Sequence, residues 1–366
     1  MKIARVLIIL LLGVMLLSGL ACNGGSDVVV TFPDPKLEQA IREVIHKPTG
    51  DIYQSDLDGV TRLEAISSGI GITDLSGLEH CTNLYDLDLY ANQISDVSVL
   101  SSLTKLSHLD LYHNEVNDIS ALAGLVHLSS LEIDNTNISD ISVLSGLTNL
   151  YVLSLCSNQI SDISALSGLT NLQDLDLNGN QINDISALSG LTNLTDLKLN
   201  INNISDISAL SGLTHLSTLQ LGLNQISDIS ALSGLTNLEF LWLDANNISD
   251  ISVMSGLTGL QDLDLWRNQI SDISALSGLT NLQYLYLNVN NISDIRALSG
   301  LTHLSSLGLE NNQISDIEPL VDNTGISSWD NVYLGCNSLS DTSLNTYIPE
   351  LESRGIQVYS TCDEYQ

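Results

Sequence analysis

The chain is predicted to be an α/β solenoid, one small structural unit stacked along a single axis. Three observations predict it. An asparagine returns at Asn92, Asn114, Asn158, Asn180, Asn202, Asn224, Asn246, Asn268, Asn290 and Asn312, in register with a 22-residue period that lapses only at Thr136. Aliphatic positions keep the same period, so that regular units begin at Leu84, Leu106, Leu128, Leu150, Leu172, Leu194, Leu216, Leu238, Leu260, Leu282 and Leu304, after a degenerate unit from Leu63 to Asn83. Within each unit the apolar spacing changes from two to three. At 366 residues the chain has the length of two or three globular domains, but a solenoid grows without separate cores.

The unit from Leu172 shows how each element arises. Leu175 and Leu177 alternate with Asp174, Asp176 and Asn178, which is the period of a short strand. Asn180 follows where the chain turns, and its carboxamide is expected to satisfy backbone groups buried there. Asn183-Asp184 is capping chemistry, and Ile185, Leu188 and Leu191 recur every third residue, as in a 3₁₀ turn. Gly190 is expected to permit the tight exit. The Asp184 position recurs from Asp74 to Asp316 and carries much of the chain's acidity.

This unit resembles the 22-residue leucine-rich repeat of the bacterial internalins and of the eukaryotic phosphatase regulators of the same repeat class. The resemblance covers about residues 34 to 360. It implies a curved, right-handed coil with a parallel sheet on the concave face and 3₁₀ or short helical turns on the convex side. At about 4.8 Å per strand, that sheet is expected to run roughly 50 Å.

Both ends depart from the unit. Asp34-Pro35-Lys36 opens an amphipathic helix with Leu37, Ala40, Ile41, Val44 and Ile45 on one face, and it resembles the N-terminal caps of bacterial proteins of this kind. Glu318-Pro319-Leu320 breaks the pattern, a three-residue insertion precedes Asn337, and Tyr347–Leu351 and Arg354–Val358 suggest a last helix and strand. The expected organisation is a signal segment (1–21), a flexible tether (22–32), a helical cap (33–59), repeats (60–317) and a degenerate closing repeat with its cap (318–366). No wall-anchoring motif or second domain is expected after it.

Lys2 and Arg5, an apolar run from Val6 to Leu20, and small residues up to Cys22 form a secretory signal too short for a comfortable membrane span. Its ending resembles a bacterial lipobox with Cys22 as the lipid-accepting thiol, although Gly19 stands where a bulky aliphatic residue is usual. An ordinary secretory signal with an incidental cysteine is the alternative. The lipobox reading implies an extracytoplasmic lipoprotein anchored to the membrane by lipid alone. Asn23, which is not Asp, favours the outer membrane where the host has two. Cys81 shares the column of Leu103 and Leu125 and is expected in the core, whereas Cys156 falls on a strand face. Cys336 and Cys362 either pair or remain free thiols.

The net charge of −32 repels nucleic acid and anionic lipid, which excludes both as main partners. Function is expected in the strand residues that flank the inner leucines. Asp86, Asp88, Tyr90, His108, Asp110, Tyr112, His113, Glu132 and Asp134 form a first zone, and Asp174, Asp176, Asp196 and Lys198 a second. The third zone holds Phe240, Trp242, Asp262, Asp264, Trp266, Arg267, Tyr284 and Tyr286. The whole sequence has two Phe and three Trp, so this concentration of rings beside an arginine has the composition of an interface hot spot. The competing explanations are that the rings pack only on one another or that they stack on sugars. Neighbouring strands are expected to bring the rings of this zone within reach of each other.

Asp86, Asp88 and Asp110 also invite a cation site, but a flat sheet face supplies few of the oxygens a hard cation needs, so a solvated acidic face is preferred. His127, His215 and His303 share a column with Asn149, Asn171 and Asn193 and read as turn residues. His108 and His113 have no nucleophile in a recognisable arrangement near them, and phosphate loops are absent. The sequons at Asn137, Asn193, Asn203, Asn247 and Asn291 are by-products of the repeat. The expected function is binding of a protein with a basic surface, by a monomer without catalysis, cofactor or metal. Phe240, Trp242, Trp266, Arg267, Tyr284 and Tyr286 are expected to make the main contact. Asp86, Asp88, Asp110, Asp174, Asp176, Asp262 and Asp264 are expected to steer the partner. Binding of glycan or wall polysaccharide through the rings is the alternative.

Overall fold

The computed structural model describes residues 27–66, 71–327 and 330–362. The signal segment, Cys22 and Trp329 lie outside the described residues. A short antiparallel pair that no periodicity announces, β1 (Val29–Val30) with β2 (Ile52–Tyr53), precedes the coils. Fourteen further strands form one sheet: β3 (Arg62–Glu64), β4 (Asp86–Asp88), β5 (His108–Asp110), β6 (Ser130–Glu132), β7 (Val152–Ser154), β8 (Asp174–Asp176), β9 (Asp196–Lys198), β10 (Thr218–Gln220), β11 (Phe240–Trp242), β12 (Asp262–Asp264), β13 (Tyr284–Tyr286), β14 (Ser306–Gly308), β15 (Asn331–Tyr333) and β16 (Gln357–Tyr359). Each pairs in parallel with its sequence neighbour, with equal repeat positions opposite one another, as in Leu175 beside Leu197. The return path carries a 3₁₀ turn in the regular coils from Leu84 through Leu282, for example Ser186–Gly190, and a short α-helix, Glu318–Asp322, in the coil from Leu304. The core is a set of aliphatic ladders in which Leu175, Leu177, Ile182, Leu188 and Leu191 are fully buried. Replacing one such leucine by alanine costs about 2–5 kcal/mol, because stacked neighbours cannot close the gap.

The asparagine column joins coil to coil. Asn180 Nδ2 donates to the carbonyl of Leu177 in its own coil (3.1 Å) and of Leu155 in the preceding one (3.0 Å). Its Oδ1 accepts the N–H of Ile160, also in the preceding coil (3.0 Å). The same set recurs at Asn202, Asn224 and Asn246. It also survives the insertion, since Asn337 bonds Leu309, Leu334 and Ile314. The site needs two N–H donors and an acceptor on a short side chain, which Asn provides. Thr136 has a single hydroxyl, which it gives to Asn158 Oδ1 (2.7 Å). That oxygen also serves the Ile138 N–H, at a longer 3.3 Å.

The residue before each ladder position is left-handed, with φ from 50° to 58° at Ala91, His113, Asn135, Ser157, Ile201, Leu223, Ala245, Arg267, Val289, Asn311 and Cys336 and 65° at Gly179. This corrects the expectation for Gly190, whose φ is not positive and whose Cβ position meets nothing closer than 3.9 Å. The backbone demand lies at the strand exit, one step ahead of the ladder. Side chains with a Cβ cost about 1–2 kcal/mol there, and β-branched Ile201 and Val289 are the least suited.

The recurrent aspartates cap the 3₁₀ turns, as Asp184 Oδ1 accepts the Ser186 N–H at 2.8 Å. Helix α1 (Pro35–Val44) starts at Asp34, which bonds Lys36 N (2.9 Å) and Leu37 N (3.3 Å) through one oxygen and Thr73 N (2.9 Å) through the other. One carboxylate thus starts the helix and fixes it to the first coil. At the other end, the Arg354 guanidinium donates to the carbonyls of Val321, Asn323 and Ile326, and Cys336 pairs with Cys362. Cys81 is fully buried, and burial, aided by Glu79, pushes its thiol up to about 12.

Thr136→Asn is expected to raise stability by about 1 kcal/mol by restoring the carboxamide bonds, read as a higher denaturant midpoint at unchanged slope. A lower midpoint would show that the ladder has no use for the missing group.

Candidate partner-binding face

In β3 to β14 the middle leucine is buried and, apart from the buried Gly308, the two flanking residues face outward, giving two rows across the sheet. The registers order the first as Asp86, His108, Ser130, Val152, Asp174, Asp196, Thr218, Phe240, Asp262, Tyr284 and Ser306. The second runs parallel from Asp88 through Asp110, Lys198, Trp242, Asp264 and Tyr286 to Gly308.

Phe240, Trp242, Tyr284 and Tyr286 stand in these two rows, and Trp266 lies two residues past the end of β12. Phe240, Trp266 and Tyr284 are exposed, and Trp242 and Tyr286 half-buried. They are not one packed cluster, however. Phe240 and Trp242 lie on β11 and Tyr284 and Tyr286 on β13, with Asp262 and Asp264 of β12 between them. Among the described residues the ring pairs are elsewhere: Tyr90 stacks on Tyr112 at 5.1 Å, Tyr112 lies 6.1 Å from His113, and Tyr333 stacks on Tyr359 at 4.8 Å. Mutual packing therefore does not account for the exposed rings of the third zone. Arg267 stands off the strand rows, at the left-handed strand exit beside Trp266.

All seven acids assigned to steering also work inside the fold. Asp88, Asp110, Asp176 and Asp264 each accept the backbone N–H two residues on, from Tyr90, Tyr112, Asn178 and Trp266 at 2.8–3.0 Å. Asp86 meets Arg62 Nε at 3.2 Å, and Lys198 Nζ lies 3.9, 3.8 and 3.6 Å from Asp174, Asp176 and Asp196. Burial raises Asp262, opposed by a hydrogen bond from the Trp242 side chain. The second zone read from the repeat columns is thus brought together, with Lys198 on β9 meeting Asp174 and Asp176 on β8.

Three carboxyls are held well above the ordinary range. Burial pushes Asp110 up to about 7, helped by Glu132, Asp88 and Asp134 and opposed by the Tyr112 N–H. It pushes Asp134 and Asp264 up to about 6 against the hydrogen bonds each accepts. His215 and His303 prove to be turn residues, their Nδ1–H groups donating to the carbonyls of Thr192 (2.8 Å) and Thr280 (2.7 Å) as Asn171 does to Thr148. Among the described residues no cluster of His, Cys, Asp or Glu is arranged to hold a metal ion.

The left-handed column also forms a surface that the residue pattern does not announce. Ile201, Leu223 and Val289 are 56%, 47% and 37% exposed. Their identity is legible in the sequence, but the positive φ that makes them unusual is not.

These coils define a class of protein. The family described as Leucine Rich repeats (2 copies) matches residues 104–146, 148–190, 192–234, 214–259, 236–278, 258–300 and 280–322, more than half of the chain. An internalin (inlF) from Listeria monocytogenes str. 4b F2365 is 36% identical, with a TM-score of 0.84 over 91% of this chain and 96% of that one. The chain therefore belongs to the leucine-rich-repeat family and is internalin-like. Internalin H of Listeria monocytogenes serovar 1/2a is 43% identical over 68 residues, which span 18% of this chain and only 12% of that relative. The plant peptide hormone receptor RGFR1, solved in complex with RGF2, shares the fold alone, at 23% identity and a TM-score of 0.64 over 85% of this chain and 58% of that one. The chain's internalin-like homologues are non-enzymatic protein-interaction modules.

The raised and lowered carboxyls give stability opposite slopes in pH. Asp110, Asp134 and Asp264 bind protons more tightly folded than unfolded, so the stability they permit is full below about 3.8 and is lost as pH rises through 6–7. Hydrogen bonds from the serine N–H groups lower the convex aspartates, such as Asp96 and Asp184, whose contribution is present above about 3.8 and lost as pH falls through their folded values. The melting temperature is expected to rise from pH 8 to about pH 5 and to fall again below about pH 3.5. Asp110→Asn should flatten the upper limb, and an unchanged slope between pH 8 and 5 would contradict the assignment.

Proposed function

We propose that the chain is a lipid-anchored surface protein that binds a protein partner through its concave sheet. Phe240, Trp242, Trp266, Arg267, Tyr284 and Tyr286 make the main contact. Asp86, Asp88, Asp110, Asp174, Asp176, Asp262 and Asp264 give the face a negative field that draws a basic partner. The observation that carries this reading is the exposure of Phe240 and Tyr284 in a row where the adjoining strands place Thr218, Asp262 and Ser306, with Trp266 exposed just past β12. Large rings that neither fill the core nor stack on each other are available to a ligand.

Internalin relatives are bacterial surface or secreted proteins, which agrees with the basic start, apolar run and Cys22 of the first 22 residues. No described helix is long and apolar enough to cross a membrane, and the lipid on Cys22 serves as the anchor in this reading. The proposed organisation keeps the signal at 1–21, the tether to 32, the cap to 59, the repeats to 317 and the closing cap beyond. The acids retain their internal bonds while contributing to the field, because only Arg62 and Lys198 oppose them along the two rows of described residues.

A second reading has its own observation. Rings alternating with carboxylates across β11, β12 and β13 also suit stacking on sugar rings with acceptors for their hydroxyls.

A Trp242→Ala, Trp266→Ala variant is expected to stay folded and to lose about tenfold or more in affinity for a partner crosslinked from the membrane fraction. Full affinity in the variant would end the aromatic-face proposal. A shift in tryptophan fluorescence on titration with purified wall polysaccharide, without a protein partner, would favour the sugar reading.

A further inference from the structure

The left-handed column changes character halfway along the solenoid. In the first coils it carries Ala91, His113, Asn135, Ser157 and Gly179, residues that are small or polar. The next coils carry Ile201, Leu223 and Ala245 in succession, then Arg267 and Val289, at the same backbone conformation. Rungs to the following coil lock them, from Ile201 N to Gly222 O (2.9 Å), from Leu223 N to Asp244 O (2.8 Å) and from Val289 N to Glu310 O (2.8 Å). At about 4.8 Å per strand the row runs roughly 20 Å along the rim of the sheet. Nothing in folding calls for Ile, Leu or Val at an exposed, left-handed position that Asn135 and Asn311 fill with less strain. Single exposed apolar residues need no explanation, but successive ones in a strained conformation do.

The charge beside the row identifies its occupant. Asp244 lies over Gly222, where an added Cβ would come within 2.0 Å of Oδ1, so the coil bearing Leu223 gives up a side chain to seat that carboxylate next to it. Burial raises Asp244, Asp262 and Asp264, and a cation placed against them favours their ionised forms. We infer that the rim formed by Ile201, Leu223, Ala245 and Val289 is a docking surface for a protein segment whose aliphatic or aromatic side chains alternate with lysine or arginine. This extends the concave-face reading, on which its charge argument rests. The ligand straddles the strand exit, with apolar side chains on the rim and cations over the adjoining acids.

Fluorescently labelled short peptides of alternating Leu and Lys, with Ser–Lys and Leu–Glu controls, test this by anisotropy against the full chain. The Leu–Lys peptide is expected to bind at least about tenfold more tightly than either control. A triple variant, Ile201→Asn, Leu223→Asn and Val289→Asn, is expected to lose that margin while its melting temperature stays level or rises, which a purely structural role would not produce. Undiminished binding by the triple variant overturns the inference, as does a Leu–Lys peptide no better than its controls. So does displacement of the peptide by phosphatidylglycerol vesicles from the parent chain but not from the triple variant, which would assign the rim to lipid. The Trp242→Ala, Trp266→Ala variant separates the two readings. Binding that survives in it but fails in the triple variant counts against the concave face alone, and the reverse counts against the rim alone.

Discussion

The asparagine carboxamide is the interaction on which the structure depends. Each coil turns away from the sheet with backbone groups that have entered the core and have no strand partner. An unpaired buried N–H or carbonyl costs about 1–3 kcal/mol, and every coil would incur that cost again. Asn180 resolves it with one side chain, bonding Leu177 in its own coil and Leu155 and Ile160 in the one before. The bond that closes one coil is therefore the bond that attaches it to its neighbour. Stability becomes a nearest-neighbour property, and the ladder sets the parallel register that aligns equal positions across the sheet.

That alignment determines where function can reside. Leucine and isoleucine ladders fill the core, asparagine closes the coil, and aspartate caps the turn. What remains variable is the pair of outward rows and the strand exit. Even there the division is incomplete, because Asp88, Asp110, Asp176 and Asp264 hold their own strand exits and Asp86, Asp174 and Asp196 pair with Arg62 or Lys198. The rings of β11 and β13 and the apolar rim stand in the same half of the solenoid, and neither the core nor the ladder accounts for them.

Much of this is legible in the sequence, and the reasons for the rest are physical. The asparagine and aspartate columns declare their roles because each role needs a particular short side chain. The spacing of Ile185, Leu188 and Leu191 declares a 3₁₀ turn because its period is three. Gly190 misleads because glycine suggests a backbone demand, whereas the demand lies at the column of Gly179, where other residue types are forced into place by the ladder. The β1–β2 pair escapes because two residues carry no periodicity. Phe240 and Tyr284 read as neighbours because both belong to one short stretch of repeats, yet a whole coil with Asp262 lies between them. The rim escapes notice because φ is not written in the residue.

Native-state hydrogen exchange at the ladder amides tests the central claim most directly. Ile94, Ile160 and Ile182 donate to asparagine oxygens, while Val116 occupies the rung opposite Thr136, whose hydroxyl is turned to Asn158. The account predicts that the isoleucine amides exchange only through cooperative opening of the stack, and that the Val116 amide exchanges faster by local opening. Equal protection at Val116 and Ile94 would contradict it.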